Sequence, residues 1–197
     1  MMNNALLIFV KNLLYGQVKT RLAATVGNDN AMEIYRQLLQ HTNSVCKNIH
    51  ADKIVFYSDF IEEDIWNKRE FKKEIQWGND LAERMKNAFI KAFDNGYEKT
   101  IIIGTDCPQI DQTILENAFT QLNYFDIVLG PATDGGYYLL GMKTFFAVFF
   151  ENIKWSTDTV LKKTIEICNQ NKLSYVLLPE LTDIDEEKDM HLIQFLK

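Results

Sequence analysis

The chain has 197 residues, 47% of them hydrophobic and 24% charged, with a formal net charge of −6. That length predicts one domain spanning residues 1–197 with a full hydrophobic core, and the acidic balance argues against a general nucleic-acid binder, which would carry a basic face. Cys46, Cys107 and Cys168 are widely spaced with no C-x-x-C pair, so neither a zinc knuckle nor a disulfide framework is indicated and a reducing cytoplasm is the simplest compartment.

The N-terminal Met1-Met2-Asn3-Asn4 lacks the basic region of a signal peptide. The apolar run that follows, Ala5–Val10, is far below the ~18 residues of a membrane span and reads as a buried first strand. A loop containing Gly16 leads to a long helix. Along it Ala31, Ile34, Tyr35, Leu38, Leu39, Thr42, Val45, Cys46 and Ile49 recur at helical spacing, and Asn30 with Glu33 resembles a capping box. Lys53–Tyr57 is a second strand. Residues 58–79 are charged, with Trp66, Phe71 and Trp77 among them, and read as a short helix plus an irregular approach to the core.

From Asp80 to about Asn95 an amphipathic helix carries Leu81, Met85, Ala88, Phe89, Ala92 and Phe93 on one face, and Gly96 closes it. Thr100–Gly104 is a strand, and Asp111 caps a helix running to Leu122. Phe125–Leu129 and Tyr137–Met142 are two strands in succession. Ser156 caps a helix to about Asn171, Ser174–Leu178 is a further strand, and a terminal helix starts near Glu186. Strands alternating with helices predict a three-layer α/β/α fold with a mostly parallel sheet. The paired strands around Gly130–Met142 predict that this sheet is mixed.

Five segments carry residues suited to chemistry. In Ile101-Ile102-Ile103-Gly104-Thr105-Asp106-Cys107-Pro108 an acid stands where a buried strand emerges, the edge at which open α/β sheets bind ligands. A carboxylate there suits a hard divalent cation beside a phosphate, and the same residues also suit a simple capping turn. Gly16-Gln17-Val18-Lys19-Thr20-Arg21-Leu22 lacks the glycine that a P-loop needs before its lysine, because Val18 stands there. Lys19 and Arg21 are then either a phosphate clamp or two solvated cations.

Gly130-Pro131-Ala132-Thr133-Asp134-Gly135-Gly136-Tyr137 places Asp134 in a turn whose glycines allow close backbone approach. Asp134 could receive a proton or serve only the turn. Trp155-Ser156-Thr157-Asp158 reads as a helix start or as one wall of a small-molecule pocket. In Asp183-Ile184-Asp185-Glu186 the acids either complement a helix dipole or supply a second carboxylate to a cation held by Asp106.

Taken in order, Val18–Leu22, Gly104–Pro108, Gly130-Pro131 with Asp134–Tyr137, Trp155–Thr157 and Asp183-x-Asp185 resemble a family of small bacterial glycosyltransferase-A-like proteins. These are the nucleotide-diphospho-sugar transferases, some of them associated with arsenosugar biosynthesis. The Lys-Thr-Arg-Leu loop also resembles that of 2-phospholactate guanylyltransferases. The chain departs from the family pattern at Leu14-Tyr15-Gly16, where proline usually precedes the glycine, and after Asp185, where Glu186-Glu187 replaces Thr-Pro.

The resemblance implies a metal-dependent glycosyltransferase that takes a nucleotide-diphospho-sugar and a small-molecule acceptor. Asp106 with Asp183 or Asp185 would hold Mg²⁺ or Mn²⁺. Lys19 and Arg21 would neutralise the phosphates, Gly16, Thr105, Trp155 and Ser156 would bind the nucleotide, and Asp134 would orient or deprotonate the acceptor. The alternatives are nucleotidyl transfer from a nucleoside triphosphate to a phosphorylated small molecule, and a non-catalytic nucleotide-binding protein. Neither nucleic acid nor a membrane is an expected partner, and the oligomeric state is left open.

Overall fold

The computed structural model describes residues 3–151, 155 and 157–196. Seven strands form one sheet in the order β3-β2-β1-β4-β6-β5-β7: β1 Asn4–Val10, β2 Asp52–Tyr57, β3 Phe71–Ile75, β4 Lys99–Ile103, β5 Ile127–Pro131, β6 Tyr137–Met142 and β7 Tyr175–Leu177. All neighbours are parallel except β6, which runs antiparallel to both β4 and β5. The predicted mixed, mostly parallel sheet is observed, and β6 is the strand that makes it mixed.

Period-two alternation sends opposite sides of each central strand into two separate cores. Leu6, Ile8 and Val10 of β1 join Val55, Tyr57, Ile101 and Ile103 on one face, covered by α2 (Asn28–Lys47) and α4 (Gln112–Gln121). Ala5 and Leu7 join Ile54, Phe56, Ile102, Leu129 and Leu140 on the other, covered by α3 (Leu81–Asp94), α5 (Val160–Gln170) and the 3₁₀ turn Ala147–Phe150. A third cluster fastens α1 (Thr20–Val26) and the C-terminal segment to α2 through Val18, Leu22, Ile34, Leu38, Ile184 and Leu192. Among the described residues no helix is long and apolar enough to cross a membrane.

Local signals set several boundaries. Asp80 and Asp111 cap α3 and α4 by accepting from the backbone N–H groups of Glu83 and Ile114. Asp111→Ala should lower stability by about 1 kcal/mol, seen as a shift of the urea midpoint with an unchanged slope. An unchanged midpoint would remove the cap from the account.

Elsewhere the structure corrects the sequence reading. Residues 71–75 form a parallel edge strand beside β2 rather than an irregular approach. Trp66 is buried edge-on against Phe71, with ring centroids 5.0 Å apart, and so pins the preceding loop. α2 starts at Asn28 behind Gly27, and Asn30 donates to the Val26 carbonyl of the preceding α1 instead of capping. α5 starts at Val160 after Thr159, so the predicted start is three residues early. Ser156 itself lies outside the described residues. The terminal helix is 3₁₀ over Glu187–Phe195, with reciprocal capping between Glu186 and Asp189.

Candidate active site

The chain runs from β1 outward through β2 to β3 and then returns to place β4 on the other side of β1. Such a reversal opens a crevice at the carboxyl ends of the two diverging strands, where ligands of open α/β sheets bind. A cleft of about 530 Å³ lies there. Phe9 and Val10 line it from the end of β1, Lys11 and Gly104–Cys107 from the loops that follow β1 and β4, and Gly136–Tyr138 from the start of β6, which reaches the same edge because that strand is antiparallel. An annexe of about 80 Å³ adjoins it, lined by Lys11, Lys19, Thr20, Arg21, Asp106 and Asp185.

Backbone hydrogen bonds bring three distant loops together at Asp106. The Asp106 carbonyl accepts from Ile184 N–H at 2.9 Å, and Thr133 N–H and Leu181 N–H bond Leu181 and Pro131 carbonyls at 3.0 Å each. Gln109 Oε1 accepts from Thr182 N–H at 3.0 Å. Asp106, Asp134 and Asp183 therefore face one cleft although they come from three segments.

Lys19 is not a solvated cation. Its side chain is 4% exposed, and its ammonium lies 2.5 Å from Asp106 Oδ1, 2.5 Å from the Ile184 carbonyl and 3.6 Å from Asp185 Oδ1. Its backbone is left-handed, with φ 49° and ψ 44°, a conformation that costs a non-glycine residue energy and persists where the surroundings enforce it. Burial works against the charge, yet the facing carboxylates, Asp106 first, raise its pKa above the ordinary lysine value. Arg21 is largely exposed and donates to Asp185 Oδ2 at 2.7 Å.

Asp183 has no such partner among the described residues. Its Oδ1 is buried and makes no hydrogen bond among the described residues. Burial, then the negative charge of Asp106, push its pKa up from 3.8 to about 8. The folded state therefore binds more protons at this site than the unfolded chain between these two values. Stability contributed by the protonated form is complete below the unfolded pKa and is lost as pH rises to about 8. In chelator-treated buffer, Asp183→Asn should flatten the fall in melting temperature between pH 5 and 8 (roughly that window). A variant that keeps the parent's slope would contradict this.

The far wall is aromatic and mostly apolar. Trp155 stacks on Phe150 with centroids 6.3 Å apart and meets Tyr137 edge-on at 6.0 Å. Its buried indole N–H has no partner among the described residues. Asp134 accepts from Gly136 N–H at 2.9 Å, so the turn fixes its carboxylate at the cleft. The next residue, Gly135, has φ +87°, and a Cβ there would stand 2.1 Å from the Asp158 carbonyl oxygen. The Gly135 carbonyl accepts from Leu161 N–H at 2.9 Å, so this turn is locked to the start of α5.

Of the residues singled out from sequence, Asp106, Asp134, Asp183, Asp185, Arg21, Thr105 and Trp155 line the cleft, and Lys19 lies beneath it in the annexe. Gly16 lines neither space and serves the loop through its positive φ of 72°. Lys11 and Tyr35 were missed as site residues. Lys11 had a signal, because it directly follows the first strand. Tyr35 had none beyond helical periodicity, yet its hydroxyl accepts from Lys11 N–H at 2.8 Å and lies 3.3 Å from Thr105 Oγ1. Cys107 is buried, and burial pushes its thiol up to about 12, away from the reactive thiolate form. His41 is structural, with Nε2 2.9 Å from the Ile110 carbonyl.

Known proteins share this architecture. A Desulfovibrio desulfuricans G20 protein, named as a nucleotide-diphospho-sugar transferase, superposes with a TM-score of 0.86 at 35% identity, over 94% of this chain and 84% of that one. The 2-phospho-L-lactate guanylyltransferase of Methanocaldococcus vulcanius is 27% identical over 172 residues, 85% of this chain and 74% of that protein. A CMP:2-keto-3-deoxy-manno-octonic acid synthetase complexed with CTP has a TM-score of 0.61 over 97% of this chain and 96% of that one. At 9% identity this last match speaks for the fold alone. The fold is thus that of the nucleotide-diphospho-sugar transferases. A family model matches residues 41–157, more than half of the chain, and the chain belongs to that family, described as "Uncharacterized protein conserved in bacteria (DUF2064)".

Proposed function

We propose that this chain is a metal-dependent transferase acting on a nucleotide, with nucleotidyl transfer from a nucleoside triphosphate as its reaction. The observation that carries the reading is the juxtaposition, across Asp106, of a carboxylate-lined cleft and a small annexe bearing Lys11, Lys19 and Arg21. An annexe of about 80 Å³ suits phosphate groups, and its cations would stabilise negative charge accumulating on a departing pyrophosphate. The guanylyltransferase relative supports the same direction. Transfer of a sugar from a nucleotide diphosphate is the second reading, favoured by the name of the 35%-identical structure and by the motif resemblance to arsenosugar-associated glycosyltransferases.

The residues fit a divalent cation. Asp183 offers a buried carboxylate oxygen with no partner among the described residues, beside Asp106, and hard oxygen donors are what Mg²⁺ and Mn²⁺ take. Among the described residues no three His, Cys, Asp or Glu side chains form a ready-made metal site. Mg²⁺ needs none, since it is commonly held by one or two carboxylates with water and substrate phosphates. Asp106 and Asp183 would hold it once Lys19 moves off Asp106, while Asp185 is paired with Arg21. When bound, such an ion polarises a phosphate oxygen and offsets charge on the leaving group. Trp155 and Tyr137 would wall the cleft against water, and Asp134 would accept a proton or hydrogen bond from the attacking group.

A thermal-shift screen tests the binding half of this reading, because a ligand that binds only the native state raises the melting temperature. Nucleoside triphosphates with Mn²⁺ should raise it more than either component alone. A response to nucleotide sugars and not to triphosphates would transfer the assignment to the second reading.

A further inference from the structure

Lys19 occupies the position that a cation would be expected to take. Its ammonium touches Asp106 Oδ1 and the Ile184 carbonyl at 2.5 Å and lies 3.6 Å from Asp185 Oδ1. Asp183 also adds to the negative field on it. The oxygens of this cluster converge on an amine carried by the chain itself. The strained left-handed backbone of Lys19 aims the side chain there, and the acidic segment it reaches is 165 residues away in sequence. Lys19 also lines the annexe beside Lys11 and Arg21, where it faces away from bulk solvent and toward the place argued above for phosphates.

We infer that the Lys19 ammonium is a built-in competitor of the divalent cation for Asp106. The cation enters the cluster tightly only when Lys19 is drawn toward the phosphates of a nucleotide in the annexe. This rests on the metal-and-nucleotide reading given above. In the ligand-free protein Lys19 offsets the repulsion between Asp106 and Asp185, which keeps the site folded without metal. A dication must displace that charge, whereas a bound polyphosphate offers the amine an alternative partner and leaves Asp106 open. Lys19 is a positioning residue in this scheme. It sets the order in which the components assemble.

The test is Mn²⁺ binding without nucleotide, followed by electron paramagnetic resonance, on wild type, Lys19→Met, Lys19→Gln and Asp106→Asn. Removing the competing charge should tighten Mn²⁺ binding at least about fivefold in both Lys19 variants. Their melting temperatures should drop without Mn²⁺ and recover more than the parent's when it is added. A merely structural lysine would weaken both properties together. Wild type provides a measurement independent of any variant. Saturating Mn²⁺ should expel the amine and raise acylation of Lys19 by an amine-reactive ester, read by mass spectrometry.

Lys19 variants that bind Mn²⁺ no more tightly than wild type, or labelling that Mn²⁺ leaves unchanged, would overturn the inference. If Mn²⁺ binding still depends on Asp106, the metal reading survives that failure. If Asp106→Asn binds Mn²⁺ as tightly as wild type, the cation sits elsewhere and both readings fall.

Discussion

Asp106→Asn is expected to reduce turnover by at least about 100-fold, the scale seen when one preorganised electrostatic group is removed from a transfer site. The substitution keeps the shape of the side chain and takes away its charge. Asp106 is the residue on which the cleft, the annexe and the C-terminal acids converge, so no neighbour replaces it. The variant should still fold, since the Asp106 carbonyl keeps its bond from Ile184 N–H and Lys19 keeps the Ile184 carbonyl and Asp185. Its melting temperature should nonetheless fall, because a buried ammonium has lost its nearest anion. Steady-state kinetics on the folded variant give the result. Activity within a few-fold of wild type would remove Asp106 from the chemistry.

Gly135→Ala should be the most damaging single-methyl change in the cleft wall. Its φ of +87° is unfavourable for any residue with a Cβ, and the added carbon would lie 2.1 Å from the Asp158 carbonyl oxygen and 2.6 Å from its carbonyl carbon. That obstacle is backbone and cannot rotate away. Overpacking and left-handed strain together should cost about 3 kcal/mol. To relieve the clash the Asp134 turn must part from the start of α5, breaking the Leu161 N–H bond to the Gly135 carbonyl. Urea denaturation would measure the loss, and kcat/KM should fall with it because Asp134 moves. Gly136→Ala is the contrast, since its φ is not left-handed and the nearest atom to a Cβ there is a side-chain oxygen of Asp134, at 3.2 Å, rather than backbone. Equal stability of the two variants would contradict the account.

The central strands were legible because Ala5–Val10 and Ile101–Ile103 are apolar on both faces, as buried parallel strands must be. β3 was not, because Phe-Lys-Lys-Glu-Ile at a sheet edge buries only Phe71 fully and its charged residues resemble a loop. α1, at seven residues, is too short to show a period. Helix starts at Asn30 and Ser156 were drawn from side chains that can cap. The actual starts follow Gly27 and Thr159, neither of which caps with its side chain.

The site divides the same way. Asp106, Asp134 and Asp183 could be listed from sequence, since acids beside strand ends and glycine turns stand out. The role of Lys19 could not. Spacing treats it as one of a pair with Arg21, while burial separates them: Lys19 is enclosed by oxygens and Arg21 is open to solvent. The difference between Asp183 and Asp185 was equally hidden, because it depends on which acid the cations of a loop some 160 residues away can reach.

The central claim is that a nucleoside triphosphate loses pyrophosphate in this cleft. The direct measurement is pyrophosphate release from GTP, CTP, ATP and UTP with Mg²⁺ or Mn²⁺ and a panel of small phosphorylated acids. The account predicts release that requires both the metal and an acceptor, and that Asp106→Asn abolishes. Release of a nucleoside diphosphate from a nucleotide sugar, with no pyrophosphate from any triphosphate, would contradict it.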